Sequence, residues 1–336
     1  METYETIRLE KGMYGMPGKS FTQVLEELDG SEHYRGTPME GLDAFQRQLK
    51  RYDIHVSGPG SDTVEKFFAT TSGSALFPEY VSRAVRQGME AVNRLPDMVA
   101  TVTKIDSMDY RTITAENDED AKSLKPVAEG AQMPQTTIKT TEGLVRLHKR
   151  GRMLVSSYEA LRFQKLDLFT VTLRQIGAQI AASQMKDAVD TLINGDGNIP
   201  GIEFASPASG GPVYADFIGL WAGLTPYRLN TVLAGTEAVQ KLLQVEEFKD
   251  AQAGMNFQGT GRLVTPLGAS LVHIPSMETG KIIALDRSCA LEMVQAGDVS
   301  TEYDKLIDRQ LERAAISVIA GFARIYAGAA KGLALS

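Results

Sequence analysis

The segment Val145–Ile202, VRLHKRGRMLVSSYEALRFQKLDLFTVTLRQIGAQIAASQMKDAVDTLINGDGNIPGI, constrains this chain more than any other. It reads as a basic strand, a capped entry, a long amphipathic helix and a Gly/Asp/Asn/Pro stop. Leu166, Phe169, Leu173, Ile176 and Ile180 recur at helical spacing, and Ala181, Met185, Ala188 and Leu192 continue the stripe. The spacing predicts one helix from about Asp167 to Ile193, roughly 40 Å long at 1.5 Å per residue. Ser156-Ser157-Tyr158-Glu159 has the capping-box pattern and starts a short helix before it. Asn194-Gly195-Asp196-Gly197-Asn198-Ile199-Pro200 ends the long helix. One long rod beside an extended charged strand, with no catalytic constellation nearby, points to a building block.

The strand belongs to a region, Val99 to Val155, in which the apolar period is two. Tyr110–Thr114, Thr136–Thr140 and Leu144–His148 alternate, and the acidic cluster Glu116-Asn117-Asp118-Glu119-Asp120 lies between the first two. The pattern predicts a long hairpin, charged on both faces, which cannot bury itself within its own monomer. A solvated two-stranded flap is the plain alternative, but isolated hairpins are only marginally stable in water. The basic run Arg146, His148, Lys149, Arg150, Arg152 reads as a nucleic-acid patch or as half of an ion-pair network between copies. It lacks interleaved aromatics, and the chain carries a net charge of −7, so we favour pairing with Glu116, Asp118, Glu119 and Asp120 of another copy.

Elsewhere the pattern is helical near the start and mixed toward the end. Ser20-Phe21-Thr22-Gln23 opens one short helix and Thr37-Pro38-Met39-Glu40 a second, whose apolar positions are Leu42, Phe45, Leu49 and Tyr52. Ser57-Gly58-Pro59-Gly60-Ser61 reads as a hinge. Residues 63–95 are helical with breaks at Thr70–Gly73 and Phe77-Pro78. After residue 213 the sequence predicts a helical region over Pro226–Phe248 and strands at Arg262–Val264, Ser270–Ile274, Ile282–Leu285 and Ile316–Ile325, with Leu306–Gln310 approaching the last.

Composition and motifs exclude several functions. With 336 residues and 43% hydrophobic content the chain buries a real core. The start METYETIRLEKG has no apolar core of a secretory signal, and Ala314–Ala323 is too short to span a bilayer. The one cysteine, Cys289, has no nearby His and cannot form an internal disulfide, so a protein of a reducing compartment is expected. His33, His55, His148 and His273 show no metal-ligand spacing. Gly259-Thr260-Gly261 lacks the third glycine of a dinucleotide fingerprint, and Asp196-Gly197-Asn198 lacks the terminal Glu of a calcium loop. No catalytic, cofactor or metal site is expected.

In order along the chain, several segments resemble the HK97-fold major capsid proteins of tailed phages. Phe67-Phe68-Ala69-Thr70 with Ala75–Arg83 is similar to the arm-to-body segment in phages of Gram-positive hosts. Val127–Ala131 with Met133-Pro134 resembles the returning strand of the family's E-loop. Val155–Glu159 resembles the entry to its spine helix, Asp187–Ile202 that helix's end, and Thr260–Leu263, Leu267-Gly268 and Ala284–Asp286 its axial domain.

The resemblance implies an α+β HK97-like fold. Its divisions would be an N-terminal arm (1–62), an arm-to-body segment (63–105), an E-loop hairpin (106–152), a peripheral domain with spine helix (153–212), an axial domain (213–315) and a C-terminal strand returning to the body (316–336). It implies a non-enzymatic protein that self-assembles as hexamers and pentamers into the icosahedral head enclosing phage DNA, assembled in the host bacterial cytoplasm. The arm is short for a cleaved scaffolding segment, so a separate scaffolding protein, or assembly without an internal scaffold, is expected, with a portal, weak contact with packaged double-stranded DNA, and no membrane. Candidate contacts between copies are Glu116, Asp118, Glu119, Asp120, Lys125, Glu129, Lys139, Arg146, Lys149, Arg150 and Arg152. An encapsulin-type compartment is the alternative, and a soluble α/β enzyme using Cys289 a third. Some relatives join an E-loop lysine to a neighbour's asparagine. Lys122, Lys125 and Lys139 lie in the hairpin here, but no partner Asn or catalytic Glu is assignable. Virions boiled in denaturant are therefore expected to give a monomer band; a ladder of linked species would contradict this.

Overall fold

The long helix spans Leu166–Asn194, one residue longer at each end than its stripe predicts. It belongs to a computed structural model describing residues 4–16, 18–115, 126–127, 129–130, 133, 138–208, 211–249, 263–306 and 311–335. The acidic cluster 116–120, Lys122 and Lys125 lie outside those residues, as do Gly259-Thr260-Gly261 and Arg262. Two compact units divide the chain. One comprises Met1–Val92, Gly151–Ile180 and Val299–Val318, the other Asn93–Arg150, Ala181–Asp298 and Ile319–Ser336.

In the first unit, helices α1 (Phe21–Leu28), α2 (Ala44–Arg51), α3 (Thr71–Ser74), α4 (Phe77–Val92) and α5 (Tyr158–Phe163) accompany the first half of α6, the long helix. Leu166, Leu173, Ile176 and Ile180 are buried as the stripe requires, and Phe169 stacks on Phe77 and Tyr80. The Tyr80 hydroxyl donates to the Leu166 carbonyl at 2.9 Å, which ties α4 to α6. The two helices also touch through backbone. A Cβ on Gly88 would collide with the Arg174 carbonyl, and one on Gly177 with the Val85 carbonyl. Pro78, expected as a break, sits in the first turn of α4, where its missing N–H costs nothing.

Residues 1–62, expected as an arm, contribute Ile7, Leu9, Phe21, Leu25, Phe45, Leu49 and Ile54 to this same core. Ser20 and Gln23 cap α1 reciprocally, as predicted. The second helix starts later than Thr37: Asp43 and Gln46 form its capping box, because Gly41, at φ 81, takes the left-handed conformation and ends the preceding turn. Arg47 is fully buried and donates to the Asp29 carboxylate at 3.0 Å, the Asp29 carbonyl and Ser31. The expected hinge is a closed turn, with His55 and Asp62 exchanging hydrogen bonds of 2.7 and 2.9 Å across it.

Strands β1 (Thr101–Ile105), β2 (Ile113–Ala115), β3 (Ile138–Thr140), β4 (Leu147–Ser157), β5 (Phe204–Ala205), β6 (Thr231–Ala234), β7 (Ser270–His273), β8 (Lys281–Leu285), β9 (Leu291–Ala296), β10 (Ser300–Leu306), β11 (Leu311–Arg324) and β12 (Ala330–Ala334) follow in chain order. Within the first unit β10 runs antiparallel to the start of β11, with Thr301 opposite Ile316. In the second unit β9 lies between β1, which is parallel, and the end of β11, which is antiparallel. A second sheet there has the order β5-β12-β8-β6-β7.

Thr231–Ala234 corrects the expected helix over Pro226–Phe248. It is a central strand buried along its whole length, and helix resumes only at Thr236–Leu242. A four-residue apolar run does not distinguish the two by period. The last strand predicted at Ile316–Ile325 begins earlier, at Leu311, and β12 follows it unpredicted. The cap of the short helix is Ser157, whose hydroxyl accepts from Ala160 N–H at 3.2 Å, not Ser156.

Because each glycine meets a carbonyl rather than a flexible side chain, Gly177→Ala or Gly88→Ala must push α4 and α6 apart. Either is expected to destabilise the unassembled subunit by about 2 kcal/mol, the usual cost of overpacking, measured as a lowered urea midpoint.

Candidate assembly surface

The hairpin is built on two short strands, with Ile113 opposite Thr140 and Ala115 opposite Ile138. Its legs stay joined below the strands by Thr141 N–H to the Thr112 carbonyl and Val145 N–H to the Tyr110 carbonyl, each 2.9 Å. Thr112 and Thr141 are buried at the base, whereas Ile113 and Ile138 are 56% and 68% exposed. Among the described residues these two isoleucines of the ribbon stay largely bare.

The returning leg is Ile138–Thr140, not the basic segment. That segment forms β4, which pairs with β11, and Gly151 admits the close approach of Ile316 and Ser317. This placement gives two of its cations partners in their own chain. Arg150 forks onto Asp187, with Nε to Oδ2 at 3.1 Å and a terminal nitrogen to Oδ1 at 2.5 Å, and that bond raises the guanidinium pKa further. Arg152 donates to Gln179 at 2.8 Å. Arg146 and Lys149 are exposed and have no hydrogen-bonded or ionic partner among the described residues, Lys139 lies on the exposed β3, and Glu129 is exposed. The acidic candidates Glu116, Asp118, Glu119 and Asp120, with Lys125, lie outside the described residues.

Reading the sequence for charge missed the exposed apolar side chains. Met153 and Val155 share one face of β4, and Leu168 and Val171 stand three residues apart on α6, each more than half exposed. In the second unit, helix α7 (Tyr214–Gly223) buries Phe217 and Leu220 and exposes Ile218 and Trp221, the latter by 56%. Its one charged side chain, Asp216, is spent on the Val213 and Ala208 N–H groups, both at 2.9 Å. A helix apolar on every side signals a covered element, and that signal was present in the sequence.

A family model described as phage capsid protein matches residues 141–332. The chain belongs to this phage capsid family. Its mixed helix and sheet architecture is HK97-like. A virus-like particle from Pyrococcus furiosus is similar at 12% identity with a TM-score of 0.52, covering 76% of this chain and 98% of its own. The capsid of the native GTA particle is similar at 14% identity with a TM-score of 0.51, covering 75% and 90%. Nothing among curated protein sequences matches the chain significantly.

The reactive groups picked out in the sequence sit as follows in this capsid-family chain. Burial and the Asp286 charge push the Cys289 thiol up to about 11, away from the thiolate a nucleophile needs. His33, His55 and His148 lie beside carboxylates and His273 bonds Thr236, and no three His, Cys, Asp or Glu among the described residues converge on a metal position. No described helix is long and apolar enough to cross a membrane. Asp286 is 5% exposed. Burial raises its pKa, but bonds from the Ser288 hydroxyl at 2.5 Å, Arg228 N–H at 2.9 Å and Asn230 at 2.7 Å outweigh that and hold it below the usual value.

A carboxylate with a depressed folded pKa stabilises above its unfolded pKa of about 3.9 and loses that contribution as pH falls through the folded value. Asp286→Ala is therefore expected to cost about 2 kcal/mol at pH 7, because it leaves buried donors unpaired. In urea unfolding of the unassembled subunit, the gap between wild type and variant should narrow below about pH 4.

Proposed function

We propose that this chain is the major capsid protein whose copies close into the icosahedral head around phage DNA. The observation that carries the reading is the hairpin with exposed Ile113 and Ile138, on a chain of the phage capsid family. Stability of the shell then comes from many repeated interfaces rather than from one large core. The hairpin lies on a neighbouring copy, and the exposed side chains of α6, β4 and α7 are covered by other copies. Residues 106–146 act as the E-loop, whose expected end at 152 is shortened because β4 begins at Leu147, 153–212 as the peripheral domain with the spine helix and 213–315 as the axial domain, followed by the returning strand 316–336. Residues 63–105 lead into the body, and 1–62 act as an arm packed on it.

Arg146 and Lys149 are the cations of the basic strand left to meet a neighbour, and Glu116, Asp118, Glu119 and Asp120 are their complement. By their place in the sequence Lys125, Glu129 and Lys139 belong to the same segment and add to its charge. Arg150 and Arg152 serve the subunit's own β4 instead. Subunits assemble in the host cytoplasm as hexamers and pentamers with a separate scaffolding protein and a portal. The protein acts as a container and not as an enzyme. Its net charge of −7 suits a shell that holds packaged DNA only weakly.

Electron microscopy of the purified protein is expected to show closed shells or capsomers, and a monomer that persists at every concentration would overturn the reading. Trp221 is the only tryptophan in the chain. Its emission should shift to the blue on assembly as α7 is covered, and Trp221→Ala should reduce shell yield while leaving the subunit folded. Shells that enclose a cargo enzyme in place of DNA would favour a compartment instead.

A further inference from the structure

Glu292 stands on β9 with 5% exposure, and no Lys, Arg or His among the described residues pairs with it. Its carboxylate is satisfied by neutral hydroxyls alone. Thr103 Oγ1 reaches Oε1 at 2.5 Å, the Tyr110 hydroxyl reaches Oε1 at 2.8 Å, and Thr112 Oγ1 donates to Oε2. Thr103 lies on the neighbouring strand β1, whereas Tyr110 and Thr112 lie on the outgoing leg of the hairpin. A buried carboxylate is costly unless hydrogen-bonded, and bonds to a charged acceptor are about twice as strong as neutral ones. One side chain thus fastens the outgoing leg to the sheet at two points.

The returning leg has its own fastening. Gly143 N–H donates to Asn198 Oδ1 at 2.8 Å, and Asn198 Nδ2 donates back to the Gly143 carbonyl at 3.3 Å. A Cβ on Gly143 would stand 2.7 Å from that amide oxygen, so a larger residue there would push the Asn198 side chain aside. Asn198 is itself held in place. Asp196 accepts from the Asn198 and Ile199 N–H groups at 2.9 and 2.7 Å with one oxygen, and from Arg324 N–H at 2.7 Å with the other.

We infer that Glu292 and Asn198 are positioning residues, a two-point clamp that sets the direction in which the hairpin leaves its sheet. The β2–β3 ladder and the two backbone bonds below it keep the ribbon together, but they leave it free to pivot as a unit. Side chains outside the ribbon remove that freedom: Val294 and Ala323 pack with Tyr110 and Val145 at its root, and Glu292 and Asn198 add directional bonds on opposite legs. The inference rests on the reading that the hairpin meets a neighbouring copy, for which a fixed direction is the requirement.

Amide hydrogen exchange on the unassembled full-length subunit tests the clamp, read beside the yield of closed shells. Glu292→Ala and Asn198→Ala are each expected to raise exchange at residues 110–115 and 138–145 by about tenfold, while amides of the β6–β8 ladder stay within about twofold of wild type. Glu292→Gln keeps one acceptor oxygen and should restore part of the protection and of the shell yield. Asn198→Ala removes only the bonds to Gly143, so it remains informative if Glu292→Ala does not fold. Unchanged hairpin exchange in the alanine variants would overturn the inference, as would a rise shared equally by the β6–β8 ladder. Loosened hairpin amides with undiminished shell yield would leave the clamp standing and remove the hairpin as a contact between copies.

Discussion

The crossing of α4 and α6 at Gly88 and Gly177 is the contact on which the first unit is built. With no side chain between them, each helix meets the other's carbonyls, and the aromatic residues Phe77, Tyr80 and Phe169 close over the junction. The N-terminal segment then packs Phe21, Phe45 and Ile7 into the same core. A wider spacing between the two helices would open voids beneath the aromatic side chains that join them, and packing to native density tolerates few.

The second unit depends more on buried polar groups. Asp286 gathers donors from three separated residues, Arg324 reaches the loop that ends the long helix, and Glu292 gathers hydroxyls beneath the hairpin. Networks of this kind add modest net stability, but a partly satisfied one is costly, so they select a single arrangement of the loops they hold. For a subunit that must present the same surface in every copy, a unique arrangement matters more than a larger core. In the reading proposed above, the polar base of the hairpin fixes its direction and the exposed Ile113 and Ile138 of its two strands supply contact area.

How much of this was legible varies by element. The long helix was plain because its apolar stripe holds over more than seven turns, and the hairpin because its period changes to two. The Ser20 cap was legible for the same local reason. The strand at Thr231–Ala234 was not, since a short buried run looks alike in helix and strand, and neither was the late start of α2, which Gly41 decides. At the candidate surface, the hairpin was found but the basic strand was misplaced. Its alternation was correctly seen, yet nothing in the run states that its partner is β11 and not the hairpin.

The sequence by itself therefore determined the elements and the class of protein. Helical and strand periods, capping residues and the order of short motifs are local properties, written in residues a few positions apart. Tertiary structure alone decided which charges of the basic strand are paired within the chain. Arg150 and Arg152 look identical to Arg146 and Lys149 along the strand, but Asp187 and Gln179 of the long helix claim the first two. It alone brought Glu292 under the hairpin and Gly177 against Val85. Those pairings join residues distant in sequence through space and burial, and no local pattern encodes distance across a fold.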